Sequence, residues 1–278
     1  MKVLKTKSAV GACLKNYKQK KTIGFVPTMG SLHEGHLKLI KASKSECEVT
    51  ICSVFVNPMQ FNDDNDFIRY PRNLEIDLEK LRKSGCDIVY TPDTHDLYSK
   101  NEKVKEFDFG TLAANMEGKF RPGHFNGMAT IVEKFFAIIM PTKAFFGQKD
   151  LQQLQITKLL VKQMNAQIEI IGIPTVREKN GLAKSSRNNL LNENAKNEAR
   201  FIYNSLVYCR NNKEKGIHEL KLHVENQFKK HKNFELDYIE IVSRNSMVPI
   251  KKWEVKNENA ICIAAYINGI RLIDNIIL

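Results

Sequence analysis

The 278-residue chain lacks several signatures, and each absence narrows the reading. No uninterrupted apolar run approaches the about 20 residues that a membrane helix needs. The opening "MKVLKTKSAV" has no apolar h-region of the kind a signal peptide carries. The six cysteines, Cys13, Cys47, Cys52, Cys86, Cys209 and Cys262, are scattered with no C-x-x-C pair. They predict reduced, packed thiols in place of a disulfide framework or zinc site, and hence a cytoplasmic protein with no membrane partner. G-x-x-x-x-G-K-[ST] is missing, and no G-x-G-x-x-G follows a strand, which argues against a P-loop enzyme and an ordinary dinucleotide-binding domain. Acidic residues are in deficit, with 31 Asp and Glu against 43 Lys and Arg, a formal charge of +12. The lysines sit in short separated runs such as "KQKK" and "FKKHKN", without an aromatic-basic ribonucleoprotein pattern. A solvated basic surface and a small anionic substrate suit this balance better than nucleic acid does.

The hydrophobic fraction is 42% and the aromatic fraction 9%, as in a globular protein long enough for one large core or two domains. "KTIGFVPTMG" reads as a strand and a turn, and "HEGHLKLIKASKSE" as a helix. "EVTICSVFVNP" is a β-branched, nearly continuous apolar run, the mark of a strand buried on both faces. "RNLEIDLEKLRKSG" is an amphipathic helix with Gly85 as its stop, and "CDIVYTP" is the next strand. "NGMATIVEKFFAIIMP", "KAFFG", "LQQLQITKLLVKQMN" and "IEIIGIPTV" continue the alternation as helix, strand, helix and strand. It predicts a Rossmann-like, doubly wound α/β domain over residues 1–174. Beyond it lie the polar loop "REKNGLAKSSRNNL", two polar-faced helices in "AKNEARFIYNSLVYCRNN" and "GIHELKLHVENQFKKH", and three strands, "FELDYIEIVS", "NAICIAAYI" and "IRLIDNIIL". These predict a smaller α+β domain with an antiparallel sheet over residues 175–278.

Four polar clusters fall just past the carboxyl ends of predicted strands: "PTMGSLHEGH", "NPMQF", "GQKDLQQ" and "REKNGLAKSSRN". In an open parallel sheet those ends share one edge, where ligands bind. The two histidines of the first cluster are open to three uses: a metal, a phosphate or a turn. H-E-G-H lacks the i, i+4 spacing of H-E-x-x-H, which disfavours zinc. A helix start carries partial positive charge and attracts phosphate. The same dipole favours neutral imidazoles, so His33 and His36, one turn apart, can both donate to one phosphate. Gly35 leaves room for a base or sugar against the backbone.

An H-x-G-H element at the first strand–helix turn resembles the nucleotidyltransferase superfamily, and "KSSRN" follows in the right order to be its second ATP loop. Taken in order, "VPTMGSLHEGH", "FVNPMQF", "YPR", "RPGHFNGMATIV", "FFGQKDLQQLQI", "IPTVRE", "GLAKSSRN" and "RLIDN" resemble the pantothenate synthetase (pantoate–β-alanine ligase) family. The resemblance implies a ligase of pantothenate biosynthesis, on the way to coenzyme A. It would join (R)-pantoate to β-alanine with ATP through pantoyl adenylate, releasing AMP and pyrophosphate. It also implies Mg²⁺ with ATP, no tightly bound organic cofactor, and a homodimer whose C-terminal domain closes as a lid.

On the same resemblance, Met29, Gly30, Ser31, Leu32, His33, Glu34, Gly35 and His36 would cradle ATP, together with Gly147, Gln148, Lys149, Asp150 and Val176. Lys184, Ser185, Ser186 and Arg187 would close on its phosphates. His36 would donate to the α-phosphate beside His33. Lys149 would offer a point charge to the polyphosphate, and Asp150 would orient a ribose hydroxyl or a cation. Gln60 and Gln153 would form the pantoate pair. Asn57 would touch a ligand or make a turn before Pro58, Arg121 would meet an anion or form a loop salt bridge, and Asp77 would neighbour Mg²⁺. His124 and Trp253 read as structural. Gln148 departs from the Glu of many relatives, and Lys184 from an apolar residue. A nucleotidyltransferase acting on a phosphorylated acceptor shares H-x-G-H but would not call for "NPMQF" and "GQKDLQQ" together. A nucleic-acid module would rest on charge alone and would show steeply salt-dependent binding.

Overall fold

The computed structural model describes residues 1–15, 17, 21–253 and 258–278, so Lys18, Gln19 and Lys20 of the "KQKK" run lie outside the described residues. Two compact units divide the chain. One comprises Met1–Phe109, Arg121–Gln148 and Ile156–Pro174, and the other Gly110–Phe120, Lys149–Gln155 and Thr175–Leu278.

The first unit carries β1 (Lys2–Leu4), α1 (Lys7–Leu14), β2 (Ile23–Thr28), α2 (Glu34–Glu46), β3 (Val49–Val54), α3 (Asp64–Arg69) and α4 (Leu74–Lys83). Then come β4 (Ile88–Tyr90) and α5 (Thr94–Leu97). After α6 (Glu117–Phe120), which belongs to the second unit, follow α7 (His124–Ile139), β5 (Lys143–Gly147), α8 (Leu151–Gln163) and β6 (Glu169–Ile173). The opening turn of α8, up to Gln155, is counted with the second unit. The six strands form one sheet in the order β1-β4-β3-β2-β5-β6, every pair parallel. Successive residues of β2 face opposite sides of the sheet. Val26 joins Leu39, Ile40 and Leu81 from α2 and α4, while the Phe25 ring meets Phe135 of α7 edge-on at 5.6 Å. Helices on both faces make this the doubly wound sheet that the buried apolar runs predicted. The chain runs outward from β2 through β3 to β4, then returns to β5 on β2's other side. The strand order therefore reverses between β2 and β5, and the crevice at their carboxyl ends is the ligand position of such sheets.

The edge strand β1 and the helix α1 are absent from the sequence reading. A three-residue strand gives alternation too little length to register.

The second unit adds α9 (Glu193–Asn211), α10 (Ile217–Lys230), β7 (Phe234–Ser243), β8 (Asn259–Ile267) and β9 (Ile270–Ile277). The three strands pair antiparallel in the order β7-β8-β9. Leu206, Val224 and Phe228 of the helices pack on Ile239, Ile261 and Ile263 of the sheet, and Trp253 lies against this core with its indole N–H donating to the Lys213 carbonyl at 2.9 Å. Hydrogen bonds explain why two short upstream segments join this unit. The Gln152 amide accepts from Glu117 N at 3.0 Å and donates to the Leu112 and Asn115 carbonyls at 2.7 and 2.8 Å. Arg271 of β9 grips the Glu117 carboxylate with two bonds of 2.8 Å.

Candidate active site

The H-x-G-H turn leaves β2 at the switch point. Gly30 and Ser31 take left-handed backbone, with φ of +79° and +49°, and a Cβ on Gly30 would stand 2.9 Å from Asp77 Oδ2. His33 is the N-cap of α2, and a capping box closes the helix start. His33 Nδ1 accepts from Gly35 N at 3.1 Å, and His36 Nδ1 accepts from His33 N at 3.3 Å. A ring nitrogen that accepts an N–H carries no proton, so each neutral ring holds its proton on Nε2. The ring centroids are 4.1 Å apart. Both histidines are thus set as Nε2–H donors by the main chain. Gly35 serves this arrangement, since a Cβ there would lie 2.8 Å from the His33 ring. The glycine makes room for the imidazole itself, where the sequence suggested room for a nucleotide.

The backbone of the turn is otherwise engaged. Gly30 N donates to Thr28 Oγ1 at 3.2 Å, and Ser31 N and Leu32 N donate to the Asp77 carboxylate at 2.7 Å each. The amides of Gly30, Ser31, Leu32, His33 and Gly35 already have partners within the turn or on α4, unlike the open amide cradle expected from the sequence. The two imidazoles, with Nδ1 taken by the main chain, leave Nε2 as the ring atom that can donate.

Asp77 is 1% exposed and uses both oxygens on these two amides. Among the described residues no cluster of three or more His, Cys, Asp or Glu is arranged to hold a metal. The geometry does not fit the Mg²⁺ role expected for Asp77, because its oxygens are spent on the loop in a site closed to solvent.

The "NPMQF" segment forms a 3₁₀ turn, Pro58–Gln60, capped by Asn57. Asn57 is also 1% exposed, and its amide is fully used. Oδ1 accepts from Met59 N at 3.3 Å and from the Tyr98 hydroxyl at 2.8 Å, while Nδ2 donates to Gln60 Oε1 at 3.2 Å and to the Gly127 carbonyl at 3.1 Å. With four bonds made, Asn57 spends its amide inside the protein, which supports the turn reading over the ligand contact. It fixes which way the Gln60 amide faces: Oε1 is held by Asn57, and Nε2 donates to Met29 Sδ at 2.9 Å. Burial pushes the Tyr98 phenol well up, which keeps it a donor. Arg121 donates to His124 Nε2 at 3.1 Å, and His124 Nδ1 donates to the Gln60 carbonyl at 2.7 Å. Arg121 and His124 thereby brace the same turn. A small cavity of about 270 Å³ is lined by Gln60, Asn62, Glu106, His124 and Asn126.

After β5, Gly147 leads into a 3₁₀ turn, Gln148–Asp150, where Gln148 Nε2 donates to the Gly172 carbonyl at 3.5 Å. Lys149 Nζ lies 3.3 Å from Asp150 Oδ2, so Asp150 pairs with the lysine beside it. Gln153 is half-buried on α8, between the buried Gln152 and Leu154. In the second unit, residues 176–184 form a short hairpin, with Lys184 N donating to the Val176 carbonyl at 2.9 Å and Lys184 Nζ 3.0 Å from Glu178. Ser185 caps the next 3₁₀ turn by accepting from Arg187 N at 3.3 Å, Ser186 is buried, and Arg187 is half-buried.

The terminal "RLIDN" has a use that sequence reasoning missed. Arg177 forms a two-pronged pair with Asp274 at 2.5 and 3.0 Å, and Asn275 Nδ2 donates to the Lys149 carbonyl at 2.8 Å. Burial raises the Asp274 carboxyl, and the Arg177 guanidinium opposes that shift. The available signal was the acid itself, set inside an apolar strand, where a buried charge needs a partner.

A family model described as pantoate-beta-alanine ligase matches residues 2–277. The chain is 43% identical over 264 residues to a pantothenate synthetase of Cytophaga hutchinsonii, covering 92% of each, and 45% identical over 267 residues to one of Azobacteroides pseudotrichonymphae, covering 95% of each. A crystal structure of pantothenate synthetase from Thermus thermophilus superposes with a TM-score of 0.92 at 35% identity, over 99% of both chains. A pantoate-beta-alanine ligase from Francisella tularensis, solved with beta-gamma ATP and beta-alanine, superposes with a TM-score of 0.84 at 35% identity, over 100% of this chain and 97% of that one. With nearly the whole length matched in sequence and in structure, this chain belongs to the pantoate–β-alanine ligase (pantothenate synthetase) family.

Proposed function

We propose that the protein condenses (R)-pantoate with β-alanine at the expense of ATP. A pantoate carboxylate oxygen attacks the α-phosphorus, forming the acyl–phosphate bond as the bond to pyrophosphate breaks. The β-alanine amine then attacks the acyl carbon, AMP leaves, and the amine loses a proton. The first step concentrates negative charge around the α-phosphate, so it needs fixed donors and correct placement more than it needs proton transfer. The observation that carries the reading is the pair of Nε2–H imidazoles, His33 and His36, presented at the strand-order reversal.

In this reading His36 donates to the α-phosphate region with His33 beside it. Lys149, Lys184, Ser185, Ser186 and Arg187 are assigned to the phosphates, Gln60 and Gln153 to pantoate, and Asp150 and Val176 to the nucleoside. Gln60 has its acceptor held by Asn57, so it meets pantoate with its N–H donors. Mg²⁺ would accompany the ATP polyphosphate and offset its charge. Residues 1–174 are assigned the ATP- and pantoate-binding role and residues 175–278 that of a lid. Homodimeric assembly and a cytoplasmic location complete the reading. No helix among the described residues is long and apolar enough to cross a membrane.

The test is release of pyrophosphate and AMP from ATP, Mg²⁺ and (R)-pantoate, with and without β-alanine. Pyrophosphate with pantoate, and AMP together with pantothenate once β-alanine is added, supports the ligase. Absence of both products under all conditions refutes it.

A further inference from the structure

We propose that Asp77 is a positioning residue for adenylation, acting through the Gly30–Leu32 turn and not through a metal. The proposal rests on the ligase reading above. Asp77 lies on α4, in another part of the chain from the turn it holds, yet both its oxygens reach the turn: Oδ2 on Ser31 N and Oδ1 on Leu32 N, each at 2.7 Å. One helical turn further along the same face, Lys80 Nζ donates to the Leu32 carbonyl at 2.5 Å. Two side chains of α4 therefore hold the N–H and the C=O of the residue that immediately precedes His33.

Successive amides around a left-handed residue make a concave anion site, and such sites in phosphate-binding proteins face the phosphate. Here the anion seated on Ser31 and Leu32 is the protein's own carboxylate. Leu32 is 2% exposed, so its amide would otherwise be a buried donor with no water to turn to. The carboxylate makes the left-handed pair at Gly30 and Ser31 the stable course of the chain. That course sets where His33 begins α2, and hence where both Nε2–H groups point. The consequence lies in the chemistry: a small rotation of the turn swings both donors away from the charge that develops on phosphorus, while the Asn57–Gln60 turn keeps its own hydrogen bonds.

The test uses the full-length Asp77→Asn and Lys80→Met variants beside wild type. The asparagine would set an NH₂ against one of the two amides, and the methionine keeps side-chain length without the donor. Three quantities are read: single-turnover pyrophosphate formation with saturating ATP and pantoate, the free Mg²⁺ concentration giving half-maximal rate, and pantoate KM. The expected result for Asp77→Asn is adenylation slower by about 10²-fold, the cost of a misplaced catalytic group. The Mg²⁺ midpoint and pantoate KM should stay within about threefold of wild type, since uniform binding is untouched. Lys80→Met should follow in the same direction by about tenfold. A Mg²⁺ midpoint that rises, with rate restored at high Mg²⁺, would make Asp77 a metal ligand and overturn the proposal. Folded Asp77→Asn adenylating at the wild-type rate would overturn it too, leaving the residue a structural anchor only. Should Asp77→Asn not fold, Lys80→Met decides alone, and a normal rate there overturns the proposal. Wild-type protein forming no pyrophosphate would instead sink the ligase reading, an outcome visible before any variant is compared.

Discussion

Two loops, one in each compact unit, are each held by a buried carboxylate, and they are held differently. The H-x-G-H turn is gripped by its main chain, since Asp77 takes the amides of Ser31 and Leu32. The hairpin over 176–184 is gripped by a side chain, since Asp274 takes the Arg177 guanidinium, which also lies 4.0 Å over the Tyr203 ring and donates to the Asn275 carbonyl. A backbone grip fixes the path of the chain whatever the side chains are, and it suits a turn that must present two neutral rings at defined angles. A side-chain grip fixes one point and leaves the rest of the hairpin to its own hydrogen bonds, and it would suit a segment that, in the proposed reading, contributes charge. Position matters less for a charge acting over distance than for a hydrogen-bond donor.

Removing the second grip should separate the two most sharply. Asp274→Ala strands Arg177 in a site where its side chain is 19% exposed. Loss of one partner of such a pair should cost about 3–5 kcal/mol, seen as a lower urea midpoint. The next variant takes away what the first loop carries and leaves its grip in place. His36→Ala should slow adenylate formation by about 10²-fold or more in single turnover, with a thermal midpoint close to wild type. A third grip, the Tyr98–Asn57–Gln60 relay, extends the contrast at lower amplitude. Tyr98→Phe removes one hydrogen bond of about 1 kcal/mol, so pantoate KM should rise about fivefold with ATP KM unchanged. A subtler difference concerns the thiols. Burial pushes Cys86 up to about 12 and Cys209 up to about 11, and raises Cys47, Cys52 and Cys262. Mass spectrometry after brief native alkylation should find the half-buried Cys13 modified ahead of the other five.

Much of the fold was legible because it rests on local pattern. "EVTICSVFVNP" declares a doubly buried strand through β-branched residues, and "FELDYIEIVS", "NAICIAAYI" and "IRLIDNIIL" declare the antiparallel sheet. The start of three clusters at or just past the carboxyl ends of β2, β3 and β5 was legible too, since apolar runs that stop at Pro or Gly mark strand ends. The braces were not legible, because they join residues far apart in sequence. Nothing near Asp77 says that its partners are Ser31 and Leu32, and nothing near Arg177 points to Asp274. Within "GQKDLQQ" the sequence drew attention to Gln153, while its neighbour Gln152 carries three hydrogen bonds to the 112–117 segment. Adjacent identical residues on a helix face differ by a rotation of about 100° that local sequence does not resolve.

The chemistry proposed for the H-x-G-H turn depends on the main chain fixing both histidines as neutral Nε2–H donors. A long-range ¹H–¹⁵N correlation spectrum of protein labelled with [¹⁵N]histidine, recorded at neutral pH, reads this state at each ring, with His33→Gln and His36→Gln variants for assignment. Both residues should show an unprotonated Nδ1 and a protonated Nε2. A proton on Nδ1 of either ring, or an imidazolium pattern, would refute it.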